Sequence, residues 1–248
     1  NALDDGVVFP TQAAAPPWHY RNKMELSFGN DHDRTFSLGL HPAGFRYQTL
    51  QLQQCSLQSP YSSRFCPLIA QWARESGLQA FDPRNQTGAL RTLTIREGKR
   101  TGQRMIVIQT EMGAALPGDF ARSFVSVCEE IDAALRAELG DEAAGIDSLW
   151  WVQRDAERGR KTRYETTHLH GARTYAEQLH LEGDVRLRFE VGPQAFFQPS
   201  TAGAEAIYKE VIAQSGIAAS PGASVLDMYC GTGTIGLCLA PWAALVIG

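Results

Sequence analysis

Hydrophobic and polar residues alternate in short runs from Tyr20 to about Leu52. Turn-forming residues interrupt these runs at Gly29-Asn30-Asp31, Gly39, Pro42 and Gly44. This spacing predicts antiparallel strands joined by tight turns. The same alternation predicts strands at residues 89–97 and 104–110, on either side of a glycine-containing turn, and a further strand over residues 146–153.

Apolar residues recur at helical intervals in three other segments. The first runs from Ser59 to Gly77, and Pro67 is expected in the first turn of its helix, where a missing N–H has little effect. The second helix is predicted from about Gly118 to Leu139. The third is predicted over Thr201–Ser215, with Ser200 as its N-cap.

The last part of the chain changes character. Residues 178–191 predict a hairpin around Glu182-Gly183-Asp184, and Ala223–Met228 predict a buried strand that leads into a glycine loop and a helix. The fold class predicted from these elements is an α+β central domain followed by the start of an α/β Rossmann-like domain.

The predicted organisation has three parts. Residues 1–18, which contain several prolines, are expected to be a linker; residues 19–190 form the central domain and residues 191–248 the first part of the Rossmann-like domain. A doubly wound domain needs several more β–α units than the one predicted here. The chain also starts at Asn1 and stops after an apolar run at Gly248, so we expect a fragment shortened at both ends.

Composition narrows the class of protein. The content of 44% hydrophobic and 20% charged residues is typical of a soluble globular protein. No apolar run is long enough for a membrane span, no signal peptide opens the chain, and the five cysteines include no C-x-x-C pair. These features predict a cytoplasmic monomer that does not bind a membrane. The net charge of −4 means that a nucleic-acid partner would have to contact local basic patches.

The glycine loop offers the strongest chemical signal. Gly231-x-Gly233-x-x-Gly236 matches the dinucleotide fingerprint, which by itself would fit a nicotinamide oxidoreductase or a ligand-free turn. However, Asp227 ends the strand four positions before the first glycine, and Tyr229 lies between them. A carboxylate there would repel a pyrophosphate but can accept hydrogen bonds from a cationic or hydroxyl-bearing ligand. The D-x-x-x-G-x-G arrangement therefore favours S-adenosylmethionine.

Four segments extend this signal over the chain from residue 20 onwards. They are Tyr20–Gly29, which contains Arg-Asn-Lys; Leu38–Phe45 with Gln54-Cys55; Phe196-Phe197-Gln198; and Asp227–Thr234. In composition and order they resemble the RNA uracil-5-methyltransferases, whose patterns are R-N-K-x-x-[FL]-x-x-G, G-[FL]-x-x-x-G…C, F-F-Q and D-x-[FY]-C-G-x-G-x. The resemblance implies transfer of a methyl group from S-adenosylmethionine to C5 of uridine in RNA.

The resemblance also implies roles for individual residues. Gln198, Tyr229 and Thr234 fall at cofactor-contacting positions, together with Asp227 and the loop glycines Gly231 and Gly233. Thr234 replaces the Asn that is common in the family. For Phe196 and Phe197 we favour core packing over a cofactor role.

The resemblance places the catalytic residues elsewhere. The family uses a cysteine thiolate that adds to C6 of uracil and a general base that removes the C5 proton. Both lie in segments after the glycine loop that would follow Gly248, so no catalytic residue is assigned within this chain and it is predicted to be inactive alone. Cys230 is not assigned as the nucleophile.

Metal and RNA contacts complete the sequence-based hypothesis. Cys55 matches one of four cysteines that hold a 4Fe-4S cluster in the ribosomal-RNA branch, which favours 23S rRNA over tRNA as the substrate. Arg21 and Lys23 are predicted to lie exposed on one strand face and to bind RNA. A second cluster is equally consistent with RNA binding and with a solvated loop: Arg154, Arg158, Arg160, Lys161 and Arg163. A tRNA enzyme and a non-catalytic RNA-binding module remain alternatives.

Overall fold

The computed structural model describes residues 16–140, 145–156, 159–220 and 222–248, together with Thr11 and Ala13. Most of the predicted linker, residues 1–18, lies outside these ranges. None of the described helices is both long enough and apolar enough to cross a membrane.

A seven-stranded sheet forms the centre of the described structure. Its strands are β1 (Lys23–Asn30), β2 (Phe36–Leu40), β3 (Leu50–Gln51), β4 (Leu90–Glu97), β5 (Arg104–Glu111), β6 (Ser148–Asp155) and β7 (Arg163–Gly171). The order across the sheet is β3-β2-β1-β4-β5-β6-β7. Neighbouring strands are antiparallel except β5 and β6, which are parallel. A parallel pair needs a long crossover, which helix α2 (Phe120–Leu139) supplies.

One face of the sheet is covered by two helices, α1 (Pro60–Glu75) and α2. Their apolar stripes and the inward residues of β1, β4 and β5 form a closed core that includes Leu26, Phe65, Ile69, Leu93 and Phe124. Within this core the Trp72 ring packs against Phe120 and Phe124. The predicted helices and the strands of the first 111 residues are therefore confirmed.

Two details of the central region differ from the sequence-based predictions. Helix α1 begins at Pro60, so Pro67 lies in its interior and its expected first-turn position is wrong. Proline lacks the N–H that would bond the carbonyl four residues earlier, so the helix continues here with one bond fewer. Strand β7 was not predicted, because its residues are polar and mostly exposed and show no one-sided burial pattern.

The opposite face is covered in part, over β5 and β6 and over the end of β4, where Thr94 and Arg96 are buried. A hairpin of β8 (Tyr175–His180) and β9 (Arg186–Val191) packs there together with helix α3 (Thr201–Ser215). This second core contains residues of the sheet, the hairpin and the C-terminal helices: Met105, Val107, Trp150, Val152, Tyr175, Leu179, Phe197, Tyr208 and Cys238. The predicted N-cap of α3 is confirmed, since the Ser200 hydroxyl accepts a 3.1 Å bond from Gly203 N–H.

The chain then forms one β–α–β unit from β10 (Ser224–Leu226), α4 (Thr234–Leu239) and β11 (Leu245–Ile247). The two strands pair in parallel, as the first unit of a doubly wound sheet would. The prediction that β10 is buried is wrong, because Leu226 is largely exposed. An apolar strand is buried only when other elements cover it, and β11 is its one strand neighbour among the described residues.

Candidate functional site

Two segments that lie far apart in the sequence are joined in the structure. Asn22 is buried, and its side-chain Nδ2 donates to the Gln198 carbonyl and to the Thr201 hydroxyl, both at 2.9 Å. Its backbone N–H donates to the Pro199 carbonyl at 2.9 Å, and the backbones of Arg21 and Ser200 form an isolated antiparallel β-bridge. We call these contacts between residues 21–22 and 198–201 the Asn22 clamp. It fixes the segment that carries Gln198 against the start of β1.

A buried carboxylate accepts a hydrogen bond from a residue of the clamp. Glu177 of β8 is fully buried and accepts a 2.5 Å hydrogen bond from the Thr201 hydroxyl. It also accepts bonds from the backbone N–H groups of Lys99 and Arg100. Glu205 of α3 pairs with the Arg100 guanidinium at 2.7 Å. Sequence reasoning missed this network, although an acid at an inward strand position was an available signal.

A groove with a volume of about 390 Å³ opens beside the clamp. We call it the clamp groove; it is lined by Arg21, Lys23, Met24, Glu25, Leu40, Leu57, Ala195, Phe196, Phe197 and Pro199. Arg21 and Lys23 thus share one surface with the Phe-Phe segment, but both are half-buried rather than exposed as expected. Lys23 lies 3.5 Å from Glu25, and Arg21 Nε is buried without a hydrogen-bond partner among the described residues.

The two adjacent phenylalanines have opposite environments. Phe197 is 5% exposed and its ring lies 5.5 Å from that of Phe189, so the expectation of core packing is confirmed for this residue. Phe196 is 70% exposed and lines the clamp groove, so the same expectation is wrong there. Consecutive residues of an extended segment point to opposite sides, which is why only one of the two rings reaches the core.

The glycine loop adopts a conformation that requires its glycines. Gly231 and Gly233 have φ angles of 57° and 71°, in the left-handed region, and no atom lies within 4 Å of a Cβ built at Gly231. Tyr229 also has a positive φ of 62° and its side chain is 99% exposed. A non-glycine residue in this region is strained, and such strain is frequent at ligand sites.

The third glycine and the acid serve the packing of α4 on the strands. A Cβ at Gly236 would lie 3.0 Å from Val246 Cγ1, so a larger residue would force this side chain to shift by a few tenths of an ångström. The Gly236 N–H donates to Asp227 Oδ2 at 2.9 Å, which leaves the second carboxylate oxygen of Asp227 for other partners.

Thr234 is turned toward the interior rather than toward the open side of the loop. It is buried, and its hydroxyl lies 2.8 Å from that of Thr232. Burial raises the pKa of Tyr208 to about 12, although a hydrogen bond with Thr234 opposes this rise. Tyr208 lies about 10 Å along α3 from Thr201 at the helical rise of 1.5 Å per residue. Helix α3 therefore connects Gln198 at its start with the glycine loop near its middle.

The cysteines do not form a recognisable centre within the described part of the chain. Cys55 is half-buried, and its N–H donates to the Ser63 hydroxyl at 2.8 Å. Among the described residues, the group of three potential ligands that lie close together is Asp31, His32 and Asp33. Asp31 accepts two backbone N–H bonds in that turn, which is a structural role. Cys55 belongs to no group of three or more such ligands among the described residues.

The second basic cluster is divided among different environments. Arg154 lies near the end of β6, and its Nε is buried without a hydrogen-bond partner in the described structure. Arg163 begins β7 and lies 3.9 Å from Asp155. Arg158 lies outside the described residues. Arg160, Lys161 and Arg163 are exposed, whereas Arg154 is half-buried.

The fold is shared with a solved structure. The crystal structure of the Pyrococcus abyssi tRNA (uracil-54, C5)-methyltransferase in complex with S-adenosyl-L-homocysteine aligns with a TM-score of 0.63. The alignment covers 92% of this chain and 48% of that chain, at 21% sequence identity. At this identity the likeness establishes the fold.

Similarity in sequence points to the same class of protein. The chain is 34% identical over 252 residues to an uncharacterized RNA methyltransferase of Protochlamydia amoebophila, covering 99% of this chain and 55% of the relative. It is 30% identical to an uncharacterized RNA methyltransferase of Chlorobaculum tepidum, over 97% of this chain and 49% of that protein. No protein-family model matches the chain. The chain spans about half the length of these curated relatives.

Proposed function

We propose that this chain is the RNA-facing region and first cofactor-binding unit of an S-adenosylmethionine-dependent RNA methyltransferase that acts on C5 of uridine. The observation that carries the proposal is the Asn22 clamp, which holds the Arg-Asn-Lys segment against Phe196-Phe197-Gln198 beside one groove. The similarity to relatives named RNA methyltransferases supports the reaction class. The shared fold supports the arrangement of the two regions.

The residues of the glycine loop fit S-adenosylmethionine. The left-handed Gly231 and Gly233 leave open space beside the backbone, and the exposed Tyr229 ring can cover apolar parts of the cofactor. The free oxygen of Asp227 can accept a hydrogen bond from a cationic or hydroxyl group. Gln198 would bind the amino-acid end, since an amide both donates and accepts. When bound, the cofactor supplies an electrophilic methyl group.

RNA would approach through the clamp groove. Arg21 and Lys23 place positive charge there, and the exposed Phe196 ring offers a flat surface to an unstacked base. Cations of this kind position phosphates, whereas stacking selects bases that have left a duplex. The groove thus combines both kinds of contact next to Gln198.

The nucleophilic thiol and the general base are proposed to lie in a segment after Gly248. Burial raises the pKa of the Cys66 and Cys238 thiols to about 12 and raises that of Cys128 well above its usual value. Protonated, buried thiols are poor nucleophiles. These three cysteines are therefore unsuited to attack on C6.

For the substrate we propose uridine in 23S rRNA, on the strength of Cys55 and its sequence context. A tRNA substrate is the second candidate, because the protein that shares the fold is named a tRNA methyltransferase. The cluster ligand role of Cys55 belongs to this proposal. Iron content of the anaerobically purified complete gene product tests it, with Cys55→Ser as the variant and Cys128→Ser as the control.

Release of tritium from C5 of labelled uridine tests the reaction. The complete gene product with S-adenosylmethionine is expected to release tritium to water in step with methyl incorporation, and the present chain alone is expected to release none. Parallel reactions with 23S rRNA and bulk tRNA distinguish the two substrates. Methyl incorporation without tritium release would contradict the C5 assignment. RNA binding without any methyl transfer would identify a non-catalytic binding module.

Calorimetric titration with S-adenosylhomocysteine tests the cofactor site. Gln198→Ala is expected to weaken binding by about tenfold, the loss of one or two hydrogen bonds. The matched control is Gln194→Ala, because the Gln194 amide donates to the exposed Thr166 hydroxyl and is not assigned to the cofactor site. Equal affinities of the two variants would show that Gln198 does not contact the cofactor.

A further inference from the structure

A second, larger groove lies on the sheet face opposite helices α1 and α2. Register pairing places Ser27, Thr92, Gln109 and Val152 in one row across β1, β4, β5 and β6, so their side chains share a face. Val152 is covered by the hairpin as part of the second core, whereas the other three are half-buried and line a groove of about 1000 Å³. The uncovered half of the sheet is thus the floor of this groove.

The walls of the groove are rich in arginine. Five arginines line it: Arg34, Arg46, Arg84, Arg91 and Arg154. Arg84 pairs with Asp82 and Arg91 with Glu111, but the other three side chains form no ion pair within the described residues. Arg34 and Arg46 are exposed, and Arg154 Nε is buried and unpartnered. In a chain with a net charge of −4, this local excess of positive charge favours an anionic polymer. We call this surface the arginine groove.

Aromatic rings are interleaved with these cations. Phe45 and Tyr47 are both more than half exposed on the loop between β2 and β3. The Arg84 guanidinium lies 4.8 Å from the centre of the Tyr47 ring, which is a cation–π contact between two residues of the groove. Exposed rings next to phosphate-binding cations are the combination that binds unpaired bases. A duplex would offer phosphates but no free base faces.

The arginine groove and the clamp groove lie next to each other along β1. Lys23 and Glu25 line the clamp groove, and Ser27 lines the arginine groove. These alternate residues lie on one face of the strand and span about 13 Å at the rise of a β-strand. A nucleic-acid strand that occupies the clamp groove would therefore run directly into the arginine groove.

We propose that the arginine groove binds the single-stranded RNA that flanks the modified nucleotide, with Phe45 and Tyr47 stacking on bases and Arg34, Arg46 and Arg154 contacting phosphates. This inference rests on the proposed function for its RNA substrate. It assigns the flanking sequence to a surface formed by the sheet, separate from the clamp groove that would hold the target base.

The test is titration of the complete gene product with a short fluorescent uridine-containing RNA, as a single strand and as a duplex. The double variant Phe45→Ala/Tyr47→Ala removes both rings, and each lost ring is expected to weaken binding of the single strand about tenfold. Binding of the duplex should change little. Arg34→Gln and Arg46→Gln should each reduce the slope of log affinity against log salt by roughly 0.7. Arg122→Gln, an exposed cation on the opposite face of the sheet, is the charge control.

Cofactor binding measured on the same variants separates the two proposals. Unchanged affinity for S-adenosylhomocysteine with weakened binding of the single strand supports the arginine groove. Wild-type affinity of all groove variants for RNA overturns it and leaves the proposed function intact. An equal loss for the duplex overturns the single-strand assignment. Failure of the wild-type chain to bind either RNA or cofactor contradicts the proposed function and this inference together.

Discussion

The central sheet and the C-terminal β–α–β unit both contain strongly apolar strands, but they bury them to different extents. Leu93, Ile95 and Ile106 in β4 and β5 are almost completely buried, because helices α1 and α2 cover the face on which they lie. Leu226 and Leu245 in β10 and β11 are more than half exposed. The difference shows that burial of an apolar strand depends on the number of elements that cover it, and only secondarily on its sequence.

Truncation of one large side chain in each region should give the largest contrast. Phe124→Ala removes a fully buried ring from the first core and is expected to lower the free energy of unfolding by about 3–5 kcal/mol. Leu226→Ala removes a side chain that is already largely hydrated and should cost less than about 1 kcal/mol. Urea denaturation followed by circular dichroism measures both. Similar losses would show that β10 is covered in solution and that the two regions do not differ in burial.

The sheet region also buries charge, which makes its stability dependent on pH. Burial, the largest influence, raises the pKa of Glu97, but Lys99 and Arg104 together with hydrogen bonds outweigh it and hold the pKa below its usual value. A carboxyl group with a lowered pKa stabilises the fold above its unfolded-state pKa of about 4.5, and this contribution is lost as the pH falls through the folded-state value.

Glu97→Gln should therefore destabilise the protein by roughly 3 kcal/mol at neutral pH and flatten the decline of stability below pH 5. The control is Glu138→Gln, whose exposed pair with Arg64 should contribute less than about 1 kcal/mol. Urea midpoints measured across the acid range provide the check. If the stability of Glu97→Gln still declined as steeply below pH 5 as that of the wild type, Glu97 would not be the group responsible.

A smaller effect is expected at the contact that joins the sheet to the segment before α3. Asn22→Ala leaves the Gln198 carbonyl and the Thr201 hydroxyl without their donor and should cost about 1–3 kcal/mol. Hydrogen exchange over residues 195–203 should become faster, while exchange in β4 and β5 stays slow. Asn30→Ala, at the exposed end of β1, serves as the control. Equal exchange in the two variants would mean that the clamp does not hold this segment.

The smallest change in stability is expected at the cysteine of the glycine loop. Cys230→Ser should alter the free energy of unfolding by no more than about 0.5 kcal/mol, as at other partly exposed positions. Thiol labelling at pH 8 should modify Cys230 well before Cys66, because burial raises the pKa of Cys66 to about 12 and leaves almost no thiolate. Mass spectrometry of the labelled peptides distinguishes the sites. Rapid labelling of Cys66 would show that the sheet core opens as readily as the loop.

Much of the local structure followed from the sequence, because periodicity and caps are local signals. Helices α1 and α2 begin and end within two residues of the predicted bounds, and the turn at Glu182-Gly183-Asp184 connects β8 and β9 as expected. The order of strand, glycine loop and helix at β10 and α4 also followed from the sequence. Each of these features depends on a few neighbouring residues.

The remaining features depend on contacts that no local window contains. Strand β7 is an edge strand whose polar residues show no burial pattern, so it could not be distinguished from a charged loop. The opposite environments of Phe196 and Phe197 depend on where the hairpin lies. The arginine groove is formed by residues of β1, β4, β5, β6 and three loops, and its cations are scattered through the sequence rather than clustered in it.

The Asn22 clamp has a consequence for the order in which the protein folds during synthesis. Its side-chain bonds join residues 176 and 179 positions apart, whereas β1 pairs with strands that end by residue 97. Contacts between neighbouring strands can therefore form while translation continues, but the clamp cannot close until residue 201 has emerged from the ribosome. The clamp groove is consequently completed later on the nascent chain than the strand pairs around β1.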